Sequence, residues 1–413
     1  MSDLYELPNG WEWSKLKDVC NLLNGYAFKA KEYVEKSDTV IIRMGNIRPN
    51  GGFDAEHKIK YLPNKYKDEL PNYILNDGDL IIAMTDLATE MRILGNPTLV
   101  SDTNGRTFML NQRVGKLYDF KLDKVNIEYL RYILSANQIK DYYKSLGGGG
   151  LQINIGKQQI LSVDFPLPPL SEQQRIVSKL DNLFEKIDKS IALHQKNMDE
   201  ADVFMGSILN DVFGELEEKY GLVKINDTVL KTKNKNPKDD LEKPFTYIDI
   251  SSIDNKLFKI VEPKQLVGSE APSRAKKEVV LGDIVYSTTR PNLKNISIVS
   301  EEYDNPIAST GFCVLRVNDK TINSYLFYYL ITDKLFEQIE PNIRGAQYPA
   351  TSDKDLKNCN IPNTPLHIQQ KVVKYLDEVS QNLEKVKLIQ KEKMNSLKAL
   401  KASILDKALR GEL

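Results

Sequence analysis

Long apolar runs are missing from this chain, and so is any surplus of charge. Although 41% of its 413 residues are hydrophobic, no stretch approaches the roughly 18 to 20 consecutive apolar positions that a membrane-spanning helix needs. A protein embedded in a bilayer is therefore not expected. Lys and Arg total 57 against 57 Asp and Glu, a formal charge of zero, so any binding of nucleic acid has to rest on local patches. Three cysteines, Cys20, Cys313 and Cys359, are too few and too scattered for a disulfide framework or a metal knuckle. Buried thiols in a reducing compartment are the expectation. The opening Met1-Ser2-Asp3-Leu4-Tyr5 lacks a basic segment followed by an apolar one, which points to a cytoplasmic protein.

Catalytic signatures are scarce as well. The three histidines, His57, His194 and His367, lie far apart with no serine or cysteine elbow, so a nucleophilic triad has no support. Gly147 to Gly150 follow a helix-like segment and precede no clear helix start. A phosphate cradle needs strand, glycine turn and helix in that order, so a flexible turn is the better reading. Gly156-Lys157 has Leu at 151 and Gln at 158, which rules out a P-loop. Glu217-Glu218-Lys219 reads as a solvated helix surface before it reads as a metal nuclease. The Asn-Pro-Pro-aromatic or Asp-Pro-Pro-aromatic stretch of amino-methyltransferases is missing. The chain reads as non-catalytic, with no cofactor-binding and no metal residues of its own.

What the chain does have is a duplication. Gly147 to Leu209 overlies Ile343 to Leu405 without a gap, at an offset of 196, and 13 of 44 positions are identical from Pro166 to Leu209. The match is densest where Pro169-Leu170-Ser171-Glu172-Gln173-Gln174 falls on Pro365-Leu366-His367-Ile368-Gln369-Gln370. Upstream, Gly78-Asp79-Leu80 matches Gly282-Asp283-Ile284 only after a further shift of eight. A protein of two like halves suits a partner with two like places.

Each copy opens with short strand-like runs broken by turn residues, such as Asp79-Leu80-Ile81-Ile82-Ala83-Met84 behind Asn76-Asp77-Gly78, and reads as a mixed α/β globule. A proline-punctuated exit leads to a long helix. Its apolar stripe runs through Ile176, Leu180, Leu183, Ile187 and Ile191, then Met198, Ala201, Met205, Ile208 and Val212 in the first copy, at spacings of three and four. The second copy repeats it with Val372, Leu376, Val379, Leu383, Met394, Leu397, Ile404 and Ala408. Ser171 is a candidate cap, and Gly214 and Gly411 are candidate stops. About 43 residues at 1.5 Å each make a rod of roughly 64 Å, which cannot be stable alone. Ser171 to Leu216 holds five basic and nine acidic residues, and Leu366 to Leu413 holds ten and six, so the two rods are matched in charge. Antiparallel pairing would bring His194 and its counterpart Gln390 together as a polar register layer. A solvated edge for both is the alternative.

The globules also carry residue types suited to base edges and phosphates. In the first copy these are Arg43, Asn46, Arg48, Arg92, Gln112 and Arg113. In the second they are Arg274, Lys276, Lys277, Thr289, Arg290, Asn292, Arg344, Gln347 and Tyr348. For any one of them a solvated loop is the simpler reading. The globules differ between copies while rods and exits agree.

The whole pattern resembles the specificity subunit of Type I restriction-modification systems. The resemblance is carried by Leu7-Pro8-Asn9-Gly10-Trp11-Glu12-Trp13, by the strands after Gly78 and Gly282, by Pro168-Pro169-Leu170-Ser171-Glu172-Gln173-Gln174-Arg175-Ile176-Val177, and by the ending Ser403 to Leu413. The second exit departs from the family form at Asn363-Thr364-Pro365-Leu366-His367-Ile368. The resemblance implies an α+β chain with a pseudo-twofold internal repeat. Its domains would be a target recognition domain at 1–165, a spacer helix at 166–216, a second recognition domain at 217–362 and a second helix at 363–413, the helices pairing as an antiparallel coiled coil. Each recognition domain would read half of a bipartite site on double-stranded DNA. The partners implied are two modification subunits using S-adenosylmethionine to methylate adenine, and restriction subunits using ATP and Mg. Other readings are a decoy that binds modification subunits without selective DNA reading, and an enzyme fused in one chain.

Overall fold

The computed structural model describes residues 5–49, 51–88, 91–146, 151–345 and 349–413. The candidates Gln347 and Tyr348, and the turn at Gly147 to Gly150, lie outside the described residues. The chain divides into two compact units, Met1–Leu193 with Lys393–Leu413, and His194–Glu392.

In the first unit, turn glycines and apolar runs produce two four-stranded sheets. One is antiparallel, in the order Asn21–Asn24, Val114–Tyr118, Leu80–Ala83, Pro97–Leu99. Its strand Leu80–Ala83 is flanked on both edges and buried throughout, which explains a continuous apolar run where an exposed strand would alternate. Gly78 introduces it with φ of +87°, and Gly282 does the same in the second unit with φ of +87°, a backbone that other residues adopt only under strain. The other sheet orders Tyr61–Leu62, Thr39–Ile42, Thr107–Leu110 and Ile74–Leu75, with Thr39–Ile42 and Thr107–Leu110 parallel. Strand Glu12–Lys15 pairs with Asp164–Leu167, so the exit of the globule lies against its beginning.

The second unit repeats this plan. Its sheets order Val229–Leu230, Phe312–Val317, Ile284–Ser287, Ile296–Ile298, and Lys264–Val267, Pro244–Ile248, Ile307–Ser309, Ala275–Glu278. Pro244–Ile248 and Ile307–Ser309 again form the parallel pair, and Leu222–Lys224 pairs with the exit strand Asn360–Pro362.

The long helices run Leu170–Tyr220 and Leu366–Leu409. Two expectations from sequence need correction. Ser171 is not the cap, because the Pro169 carbonyl already accepts from Glu172 N at 2.9 Å and Gln173 N at 3.0 Å, which leaves Ser171 inside the first turn. Gly214 does not end the first helix, since Phe213 and Leu216 are buried on either side of it and packing outweighs the roughly 1 kcal/mol cost of a helical glycine. The stop is Gly221, at φ of +66°. Gly411, at φ of +72°, does follow the end of the second helix.

Within each unit, segments of the two helices pair antiparallel. Asp188 bonds Lys401 at 2.7 Å in the first unit, and Asp202 bonds Lys387 in the second. Ile176, Leu180, Phe184 and Ile187 share a core with Leu405, Ala408 and Leu409, and Leu397 and Ile404 pack on it. Leu209, Phe213 and Leu216 share the other with Leu376, joined by Met205 and Val372. Leu383 is half-buried. His194 Nδ1 is hydrogen-bonded to Gln390 Oε1 within the second unit; the two differ by 196, so the repeat carries one onto the other.

Candidate nucleic-acid interface

Each globule is buckled to the base of its own helix by the same side chains at the repeat offset. Gln173 is fully buried; its Oε1 accepts from Asn126 N, and its Nε2 donates to Lys124 O and Pro168 O, all at 2.8 Å. Gln369 does likewise with Ile322 N at 2.8 Å, Lys320 O at 3.0 Å and Thr364 O at 2.7 Å. This is the physical meaning of the repeated Gln-Gln motif, which sequence marked but could not interpret. Two turns further on, Tyr132 donates to Asp181, and Tyr328 donates to Asp377 at 2.6 Å. Burial, with the bond to Asp181, pushes the Tyr132 hydroxyl up to about 12, so it stays a donor at neutral pH.

The candidate readers of the first unit gather at one end of its sheets. The parallel pairing sets Ile42 beside Leu110, so Arg43 emerges next to the turn Asn111 to Arg113. Gln112 and Arg113 are exposed at its tip. Gly25 lies so close that a Cβ there would stand 2.1 Å from the Asn111 carbonyl oxygen; any other residue would displace the turn. Asn96 Nδ2 donates to Arg48 O, Pro49 O and Arg92 O, each at 3.3 Å, tying the loops of Arg48 and Arg92 together. Asn46 is different: it is buried, accepts from Arg43 N at 2.8 Å and donates to Asp54 O at 2.9 Å. Its amide shapes the loop that carries Arg43, and cannot meet a base edge while those bonds stand; Arg43 is itself half-buried, with Nη2 donating to Lys58 O at 2.5 Å. Tyr26, overlooked in the sequence, joins this rim, partly exposed and accepting from Gln112 N at 3.0 Å. Only the Gly25-Tyr26 pair signalled it.

In the second unit, backbone bonds from Arg290 N to Pro349 O at 2.7 Å and from Thr351 N to Thr288 O at 2.8 Å seat the Thr288 to Lys294 loop on the segment that carries Arg344. Ala350 bridges to both Thr289 and Arg344. Thr310 N donates to Arg274 O at 2.8 Å, so Arg274, Thr289, Arg290, Asn292 and Arg344 belong to one rim; all but the half-buried Thr289 are exposed. Lys276 and Lys277 are half-buried and engaged. Lys276 Nζ donates to Asn236 Oδ1 at 2.7 Å, and Lys277 pairs with Asp353.

Among the described residues no group of three or more His, Cys, Asp or Glu could hold a metal ion, and no helix is long and apolar enough to cross a membrane. Burial pushes the Cys20 and Cys313 thiols up to about 12 and Cys359 to about 11, so none is a thiolate at neutral pH.

The sequence profile described as the Type I restriction modification DNA specificity domain matches residues 8–197 and 217–393, once per copy. The chain belongs to that family. Among its relatives, the Type I restriction enzyme EcoAI specificity subunit of Escherichia coli is 30% identical over 185 residues, a match spanning 45% of this chain and only 30% of the EcoAI subunit. The EcoBI specificity subunit of Escherichia coli is 23% identical over 100% of this chain and 88% of its own. A solved chain from work on the complex assembly and conformational transition of the type I R-M system superposes with a TM-score of 0.69 at 22% identity, covering 99% of this chain and 100% of the other. That likeness is one of fold.

Proposed function

We propose that this chain is the DNA-reading subunit of a Type I restriction-modification assembly, and that it does no chemistry itself. Each rim reads one half of a bipartite site on double-stranded DNA; the paired helices set the interval between halves. The observation that carries this reading is the contrast inside the repeat. The buckles recur at an offset of 196, as does the shared core of Leu180 with Leu405 and of Leu376 with Leu209, while the rims carry unlike residues. Arginine at a rim offers a bidentate match to guanine, and Asn or Gln to adenine, each discriminating by about 1 to 3 kcal/mol.

The helices supply surfaces for partners. Leu193 and Leu400 stand 58% and 49% exposed in the first unit, Phe204 and Ile389 56% and 48% in the second. Ile389 is the repeat image of Leu193, and Leu400 that of Phe204, each at 196. Two modification subunits, one per pair, suit this duplication. They would supply the S-adenosylmethionine chemistry and flip out the target adenine, while restriction subunits would supply ATP- and Mg-dependent translocation and cutting.

The test is binding by the chain reconstituted with modification subunits, on duplexes carrying the intact site, either half scrambled, or both. Scrambling either half should weaken binding, and scrambling both should reduce it to the non-specific level. Equal binding to all four would refute the reading.

A further inference from the structure

The buckle at the base of each helix has two points, and two points fix a direction where one allows a pivot. Gln173 grips the globule at the first turn, and Asp181 takes the Tyr132 hydroxyl 181 − 173 = 8 residues later, about 12 Å along the axis. In the second unit Gln369 and Asp377 are again eight apart, 377 − 369. Tyr132 sits on Ile127–Leu134, the helix whose capping residue, Asn126, is also held by Gln173. Its ring is held under the Arg131 guanidinium, 4.2 Å from the centroid, and edge-on to Phe184 of the long helix, centroids 5.5 Å apart. The hydroxyl therefore has one orientation, towards Asp181. Tyr328 repeats the hydroxyl bond, to Asp377 at 2.6 Å, with Phe327 and Ser380 standing where the first unit has Arg131 and Phe184.

We infer that the Tyr132–Asp181 and Tyr328–Asp377 latches are positioning residues for spacing. They set the angle at which each rim leaves its helix, and so decide which interval between half-sites is accepted, without reading a base. This rests on the proposed two-rim reading of DNA. Adding or removing one base pair between half-sites shifts the second by about 3.4 Å and rotates it by about 35°. An orientation fixed at two points resists such a change; a pivot tolerates it.

The experiment compares the reconstituted complex on its own site with the native interval and with intervals one base pair longer and shorter. In the wild type the native interval should bind best. In Tyr132→Phe, Tyr328→Phe and the double variant, the ring packing remains and only the latch bond is lost. The native-to-altered ratio should fall about fivefold per latch, equivalent to about 1 kcal/mol, with half-site base preferences unchanged and the variants still folded at the assay temperature. Asp181→Asn, which keeps an accepting oxygen, should retain the wild-type ratio, and Asp181→Leu should lose it. An unchanged ratio in the Tyr→Phe variants, a loss of ratio in Asp181→Asn, or a shift of base preference would each overturn the inference. A wild-type complex that ignores scrambled half-sites would instead sink the two-rim reading on which it stands.

Discussion

Asp86 and Arg290 occupy the same place in the two copies and do opposite things. The neighbouring backbone bonds match one for one: Ala83 N to Asn96 O at 3.1 Å against Ser287 N to Asn295 O at 3.0 Å, and Ile155 N to Met84 O at 2.9 Å against Thr351 N to Thr288 O at 2.8 Å. On this shared frame Asp86 turns inward, buried, and accepts from Leu87 N at 2.8 Å, Ile93 N at 2.6 Å and Leu94 N at 3.1 Å. Arg290 is exposed, at φ of +50°. The backbone is common property of the two units, and the side chain at its rim is free to be structural in one and outward-facing in the other.

Breaking that comparison should have its largest effect at Asp86. Asp86→Ala strands buried N–H groups that a carboxylate now satisfies, and is expected to destabilise the first unit by about 4 kcal/mol in urea unfolding. Arg290→Ala should leave stability within about 0.5 kcal/mol. Next come the buckles, where the copies should behave alike: Gln173→Leu and Gln369→Leu each leave a backbone N–H and two carbonyls without their partner, and each should cost about 3 kcal/mol. A large inequality between them would deny that the repeat preserves the same joint. The third effect is on binding. Arg290→Ala should relax one half-site by about 2 kcal/mol if it meets a base edge, leaving the other half untouched.

The smallest effect is alkaline. Cys359 is raised from 9.0 to about 11 and Cys20 to about 12. Because the folded values lie above the unfolded one, this stabilisation is complete below pH 9 and is lost as pH rises from 9 towards 11 or 12. Urea midpoints should be flat up to pH 9 and fall above it. Cys359→Ala should lessen the fall.

The duplication and its helices were legible because they rest on local pattern: an apolar stripe at helical spacing and a Gln-Gln pair after proline. The helix ends were not, since the Pro169 carbonyl displaced Ser171 as the cap and the burial of Phe213 and Leu216 carried the helix past Gly214. The rims were legible only as residue types. Arg43 is brought beside the Asn111 turn by a parallel pairing of strands that begin at Thr39 and Thr107, a closure that no local signal announces. Nor could sequence separate Asn46, whose amide is consumed by its own loop, from Asn292, which is exposed. Lys277 looked like a phosphate contact until Asp353 was found beside it.

The most direct test of two unlike readers on one repeated frame is to map methylated adenines in cells carrying this chain with its partners, before and after exchanging residues 1–165 for those of another family member. One half of the site should change, while the other half and the interval stay as they were. A change in both halves, or in the interval, would contradict the account.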